Sequence, residues 1–239
     1  MMNMSEWAQI HTHIFELEQE GLVTRTFRRL DPERQQAVLT AILDEAAERG
    51  PASLNIKQVA EKAHVSVGSL YQYFNNRDGL VNFAIELCAR YLVDEFNSYR
   101  PLLVSMPLRE GLAAYLTGGL EWSQMQVGLV QFFVRGAYQG DPDIAERLVR
   151  PLGTALRETV HEMLIEAQQR GEVRQELDLE AAARIVNTLM IAVGDSLLLP
   201  YLDKYYQLWD GEMPLERLLD SLFALILSGI APPGVATQV

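Results

Sequence analysis

Asn55-Ile-Lys-Gln-Val-Ala-Glu-Lys-Ala-His64-Val-Ser-Val-Gly-Ser-Leu-Tyr-Gln-Tyr-Phe74 reads as two short helices, each with its own cap, and almost nothing between them. Asn55 is placed to cap Ile56 to Ala63, and Ser66 to cap Val67 to Phe74. Short polar side chains at such positions accept the backbone N–H groups that a helix start leaves bare. The turn at His64 and Val65 is too tight to bury more than Val65, which predicts a helix-turn-helix. At 100° per residue, Leu70 and Phe74 share one face of the second helix while Gly68, Ser69 and Gln72 share the other. One face packs and the other is free.

The residue types on the free face suit duplex DNA. Gln72 can make paired hydrogen bonds to adenine, Ser69 can bond either base type, Gly68 lets the backbone approach the groove, and Val67 can touch a thymine methyl. Ser66, Lys57 and Arg77 are placed for phosphate oxygens. Asn55 and Gln58 complete the expected DNA-facing set. Tyr71 and Tyr73 at the flanks read either as phosphate contacts or as half-buried supports of the head.

Working outward, Asp31 caps a helix that begins at Pro32, buries Val38, Ile42 and Ala46, and stops at Gly50. Asn76 or Asn75 caps another, from about Asp78 to Asn97, with Pro101 just beyond. Before the head, Ser5 to Gly21 reads as a short amphipathic helix with Trp7, Ile10, Ile14 and Leu17 on one stripe. After it, helices are expected near Pro107 to Gln124, Val127 to Tyr138, Pro142 to Arg170, Leu179 to Leu199 and Pro214 to Ile230. Gly140, Gly171 and the pair Asp210, Gly211 punctuate them, and Pro151 should kink the third. Alternating β-branched runs are absent, so the expected fold class is all-α. The expected organisation is an N-terminal extension over 1–30, a helix-turn-helix domain over 31–77, a larger helical body over 78–230 and a flexible tail over 231–239.

Val59-Ala60, Ala63, Val65-Ser66, Gly68, Leu70-Tyr71, Tyr73-Phe74 and Asn76-Arg77-Asp78 with Leu80 resemble the signature of the TetR family of ligand-responsive transcriptional regulators. The resemblance is specific over about Asp31 to Leu87 and covers only a helical plan beyond. One departure is His64, where this family usually has glycine, so His64 should be left-handed. The long segment before Asp31 also exceeds the family's minimal head, and a role for Arg25, Arg28 and Arg29 in touching DNA stays open.

The resemblance implies a homodimer whose last two helices form a four-helix bundle across a two-fold axis, with a ligand cavity in each body. Ile185, Leu189, Val193 and Leu197 on one stripe, and Leu218, Leu222 and Leu225 on another, are compatible with that interface. Two-fold symmetry would imply a palindromic operator with half-sites about 34 to 36 Å apart. A small-molecule effector would act by preferring a body conformation with the wrong head spacing, with the helix after Asp78 as lever. Trp122, Phe132, Phe133, Tyr138, Met163 and Met190 are either cavity lining or plain core. Asp195 faces either a ligand's polar end or the two-fold axis.

Charge makes the DNA reading conditional. The 239 residues carry a net charge of -12, which would repel phosphates if spread evenly. The first 24 residues hold four Glu and no Lys or Arg, residues 25–91 hold nine basic against eight acidic, and residues 92–239 hold eleven against twenty. The head alone escapes negative charge, so an acidic body would turn it toward the duplex.

Cys88 is the only cysteine, and no charged-then-apolar leader opens the chain, so the cytoplasm is the expected compartment. Apolar stretches such as Leu222 to Ile230 fall short of the roughly 18 residues that cross a bilayer. His11 and His13 sit two apart on a helix and point away from each other, and His161-Glu162 lacks a second His at position 165, so neither is a metal motif. No cofactor is expected. A helical enzyme is the competing class, yet no phosphate loop, Ser-Lys set, metal cluster or carboxylate dyad supports it. An interaction module that uses the helix pair as scaffold is a third reading.

Overall fold

The computed structural model describes residues 4–208 and 212–232. Every regular element among them is helical: α1 (Met4–Gln19), α2 (Arg25–Arg28), α3 (Pro32–Arg49), α4 (Ile56–Lys62), α5 (Val67–Phe74), α6 (Arg77–Ser105), α7 (Leu108–Met125), α8 (Val127–Tyr138), α9 (Pro142–Ile144), α10 (Arg150–Gln169), α11 (Leu179–Leu198), α12 (Pro200–Tyr206) and α13 (Leu215–Ile230). The expected break at Asp210 and Gly211, and the expected tail beyond Pro232, lie outside the described residues.

The chain forms two compact units, one of residues 1–95 with 126–153 and one of residues 96–125 with 154–239. In the first, α3 starts as the sequence dictates. The Asp31 carboxylate accepts the Arg34 N–H at 2.9 Å, Pro32 opens the helix, and Gly50 ends it at φ 85°. Val38, Ile42 and Ala46 are buried. The extension joins this core: Ile10, Ile14 and Leu17 of α1 are buried, and α2 contributes Phe27 with no exposure at all. Phe27 stacks obliquely on Phe74 at 5.2 Å and on Tyr73 at 5.6 Å, and meets the edge of Phe83 at 5.5 Å. The buried Gln35 amide fixes the end of α2 by donating to the carbonyls of Phe27 and Arg28, each at 3.0 Å. A buried amide so placed satisfies two carbonyls that a short helix leaves open.

The second unit is built on α7, α11 and α13 with the latter part of α10. Leu108, Leu112, Leu116, Leu164, Val186 and Phe223 are among the side chains that fill it. Asp178 caps α11 by accepting the Ala181 N–H at 3.0 Å.

Four features differ from the sequence reading. α6 runs through Pro101 to Ser105 instead of ending near Asn97; the burial of Leu103 in the core of the second unit holds the last turn despite the missing donor. The irregularity expected at Pro151 takes the form of a π turn at Ala145–Val149, directly before α10. A wider turn there relieves the clash between a proline ring and the carbonyl four residues back. α12 follows Leu199 where no helix was expected, with Pro200 at its first position. Finally, α11 has 20 residues and a mean hydropathy of 1.4, long and apolar enough by those measures to cross a membrane. Arg184, Asn187, Thr188 and Asp195 interrupt its apolar run, and one of its faces packs into the core of the second unit.

Candidate nucleic-acid interface

The helix-turn-helix forms as its caps require. Asn55 accepts the Lys57 N–H at 3.0 Å to start α4, and the Ser66 hydroxyl accepts the Ser69 N–H at 2.9 Å to start α5. Between them the chain reverses at His64, whose φ is 55°, and Val65 N–H returns to the Ala60 carbonyl at 3.0 Å. The left-handed residue is thus a histidine, a conformation that costs an L-residue about 1–2 kcal/mol. Val59, Ala60 and Ala63 of α4 pack inward, as do Leu70 and Phe74 of α5.

The faces of α5 divide as its periodicity demands. Gly68, Tyr71 and Gln72 are exposed, with Val67 and Ser69 half-buried at the start of the helix. The Ser69 hydroxyl lies 2.9 Å from that of Ser66. Lys57 is exposed and Gln58 half-buried on α4, and Gln58 lies 3.4 Å from the Glu61 carboxylate.

Two residues expected on phosphates sit otherwise. Tyr73 is only 8% exposed, with its ring against Phe27, because it lies one residue from Phe74 on the side that α2 covers. Arg77 donates to the Leu54 carbonyl at 2.9 Å and to the Ala52 carbonyl at 2.5 Å. Its guanidinium fastens the loop before α4, whose carbonyls have no helical partner. Asn76, not Asn75, caps α6 by accepting the Gly79 N–H at 2.7 Å, while Asn75 closes α5 at φ 66°.

The extension reaches the same helix, a contact with no local signal in the sequence. Thr24 donates its N–H to the Tyr73 carbonyl at 2.9 Å and its hydroxyl to the Gln72 carbonyl at 2.8 Å. These two bonds satisfy carbonyls at the C-terminal end of α5, where no later turn supplies donors. The α1 end of the extension is held by ion pairs. Arg90 of α6 makes a two-pronged bond to Glu20 at 2.8 and 2.6 Å, and Arg28 pairs with Glu18. The Arg90 bond holds the Glu20 carboxyl below its ordinary range. His13 is buried between Glu16 at 3.4 Å and Asp94 at 3.3 Å.

Lys62, a cation counted for the head by composition, faces inward. Its ammonium bonds Glu45 at 3.0 Å and Glu48 at 2.9 Å. Burial pulls its pKa down, but bonds to Glu48 and Glu45 and their charges outweigh that and leave it raised.

The residues expected around a ligand fall in both units. Phe132, fully buried, Phe133, half-buried, and Tyr138, 46% exposed, belong to the first unit. Met163 and Met190 lie in the core of the second unit, which also holds Trp122 and Asp195. The first unit has a small apolar cavity of about 70 Å³ lined by other side chains, including Ile10, Ile42, Leu87, Cys88 and Leu129. Burial pushes the Cys88 thiol far up, so it stays protonated. In the second unit two polar atoms sit buried with no hydrogen-bond partner among the described residues, the Trp122 indole N–H and the Asn97 Oδ1. Tyr115, which bonds Asn187 at 3.2 Å, has its phenol pushed up by burial and by the charge of Asp195. Asn97, Tyr115 and Asn187 carried no sequence signal beyond being polar residues on apolar helices.

Of the residues expected at a dimer interface, Ile185 is 62% exposed, Leu189 36% and Leu225 67%. Leu197, Leu218 and Leu222 are half-buried, whereas Val193 is in the chain's own core and offers nothing to a partner.

A capped helix pair that turns Gly68, Tyr71 and Gln72 outward on an all-helical chain defines a helix-turn-helix DNA-binding regulator. Residues 38–83 match the bacterial regulatory proteins of the tetR family. The chain is a DNA-binding transcriptional regulator whose helix-turn-helix segment is of the tetR type. It is similar to the HTH-type transcriptional repressor KstR2 of Rhodococcus jostii (strain RHA1), with 26% identity over 203 residues, 81% of this chain and 91% of the relative. Its fold is similar to that of a TetR family transcriptional regulator from Chloroflexus aurantiacus J-10-FL, at a TM-score of 0.61 and 19% identity over 88% of this chain and 99% of that one. The transcriptional regulator FadR from Bacillus subtilis, solved in complex with stearoyl-CoA, matches at a TM-score of 0.57 and 17% identity over 82% and 98%.

Proposed function

We propose that the chain is a cytoplasmic homodimeric repressor that holds a palindromic operator and leaves it when an amphipathic, acyl-type ligand binds. The observation that carries the DNA half of this reading is the outward face of α5, capped at its start by Ser66 and tied at its end by Thr24. On it, Gln72 and Ser69 read base edges, Gly68 and Val67 lie close to the groove, and Lys57, Ser66 and Tyr71 meet phosphates, with Asn55 and Gln58 beside them. The head over 31–77 does this work, and the body over 78–230 binds the effector and the partner.

The dimer half rests on Ile185, Leu189 and Leu225, apolar side chains that one chain leaves in water. Clustered exposed apolar residues of this kind mark association surfaces. The ligand half rests on the Trp122 and Asn97 atoms, which are buried without a partner among the described residues. Such groups are costly unless something bonds them, and a ligand's polar end would do so. FadR and its stearoyl-CoA suggest the chemical class. α6, which has residues in both units, is the lever.

The chain works by binding and not by turnover. The test is selection of duplexes from a random pool by the full-length chain, followed by titration with acyl-CoA esters of increasing length. A palindromic consensus released by a long-chain ester supports the reading. Selection that enriches no sequence overturns the DNA half, and a consensus complex indifferent to every ester overturns the ligand half.

A further inference from the structure

Of the nine Lys and Arg between residues 25 and 91, six are already engaged. Arg28 pairs with Glu18, Arg34 with Asp31, Arg49 with Glu45, Lys62 with Glu45 and Glu48, and Arg90 with Glu20. Arg77 is spent on the carbonyls of Ala52 and Leu54. Among the described residues, the exposed cations of this stretch with no acidic partner are Lys57, Arg25 and Arg29. Two of these three stand on or beside α2, in the extension and not in the helix-turn-helix. A chain with a net charge of -12 has to draw its attraction for phosphates from a few uncommitted cations, so their location matters.

α2 is well fixed. Thr24, its cap position, bonds the carbonyls of Gln72 and Tyr73, Phe27 is locked among Tyr73, Phe74 and Phe83, and Gln35 holds the carbonyls of Phe27 and Arg28. Arg25 and Arg29 are four residues apart and so share one side of the turn, roughly opposite the buried Phe27. Arg28, which points elsewhere, is consumed by Glu18 and covers the ring of Phe15 at 5.6 Å. The outcome is two free guanidinium groups presented by a segment anchored at the residue that reads a base.

We infer that α2 is a second DNA-contacting element, in which Arg25 and Arg29 hold backbone phosphates beside the groove that α5 enters. This rests on the DNA-binding reading of α5. The contact is to phosphate and carries no sequence information, so it adds affinity equally to every duplex. Guanidinium groups suit it because their forked donors match phosphate oxygens. It also gives the extension a second duty: undocking α2 would remove two cations from the duplex and two hydrogen bonds from the end of α5 together.

The test uses full-length protein, a duplex it has selected and a scrambled duplex, with affinity measured across a range of salt. Arg25→Gln with Arg29→Gln should weaken both duplexes by the same factor and flatten the slope of log affinity against log salt by about 1.8, about 0.9 per phosphate contact. Arg25→Lys with Arg29→Lys, which keeps the charge, should restore most of the slope. Unchanged affinity and slope in the Gln pair, while Lys57→Ala still lowers both, overturns the inference and leaves the reading of α5 standing. If wild type and Lys57→Ala alike show no salt-dependent binding to either duplex, both fall. Should the Gln pair unfold, as circular dichroism would reveal, the single variants Arg25→Gln and Arg29→Gln decide: each flattens the slope by about 0.9, or the inference is wrong.

Discussion

The hydroxyl of Thr24 donates a hydrogen bond of 2.8 Å to the carbonyl of Gln72, so the N-terminal extension is fastened at the residue with the best chemistry for reading a base. Forty-eight residues separate the two in sequence. The bond holds the end of α5 from outside the helix-turn-helix itself.

Gln72→Ala should relax base preference at one position of each half-site, at a cost of about 1–3 kcal/mol for the preferred base. Lys57→Ala should weaken all sequences about equally. Affinities for single-base operator variants check both, and an unaltered preference in Gln72→Ala would mean that the reading face lies elsewhere on α5.

Phe27→Ala should destabilise the chain by about 3–5 kcal/mol, since the ring is fully enclosed and contacts Tyr73, Phe74 and Phe83. Urea unfolding followed by circular dichroism measures this. A loss below about 1 kcal/mol would show that the extension is dispensable to the head.

His64→Gly removes a left-handed histidine at φ 55°. The relief of about 1–2 kcal/mol is offset by the greater chain entropy of glycine, about 0.5–1 kcal/mol, so the variant should be about 1 kcal/mol more stable. DNA affinity should not fall, because His64 lies in the turn and off the reading face. The same unfolding assay with a binding isotherm checks both statements.

Ile185→Glu with Leu225→Glu should convert the proposed dimer to monomers, because both side chains are exposed on one chain and the change would set like charges in that interface. Sedimentation velocity reads the outcome, and operator affinity should fall steeply with it. A sedimentation profile equal to that of wild type would place the interface off α11 and α13.

Glu20 has its pKa lowered, first by its hydrogen bond to Arg90. A carboxylate whose folded value lies below its unfolded 4.5 adds stability that is present above that value and fades as pH falls through the folded one. Protease cleavage of the extension should therefore rise on acidification below about pH 4.5, and Glu20→Gln should show faster cleavage already at neutral pH. Cleavage of Glu20→Gln at the wild-type rate at pH 7 would show that the Glu20–Arg90 pair does not hold the extension.

The fold class was legible because capping and helical periodicity are local. Asp31, Asn55 and Ser66 act on N–H groups two or three residues away, and all three cap as read. The alternation of faces on α5 follows from 100° per residue, so the burial of Leu70 and Phe74 opposite Gln72 was fixed before any packing was known. The left-handed His64 was legible only through the family resemblance, which puts a glycine at that turn.

Only the tertiary structure decided which cations are free. Arg77, Lys62 and Arg28 look the same in sequence as Lys57, Arg25 and Arg29, but distant carbonyls and carboxylates engage the first three and leave the others. Val193 and Ile185 lie on one apolar stripe in sequence, yet one is in the core and the other is 62% exposed, because the neighbours of α11 cover one side only. Local rules place a residue on a face of its helix. What that face meets depends on segments far along the chain, as with Thr24 and Gln72, and neither periodicity nor composition carries that information.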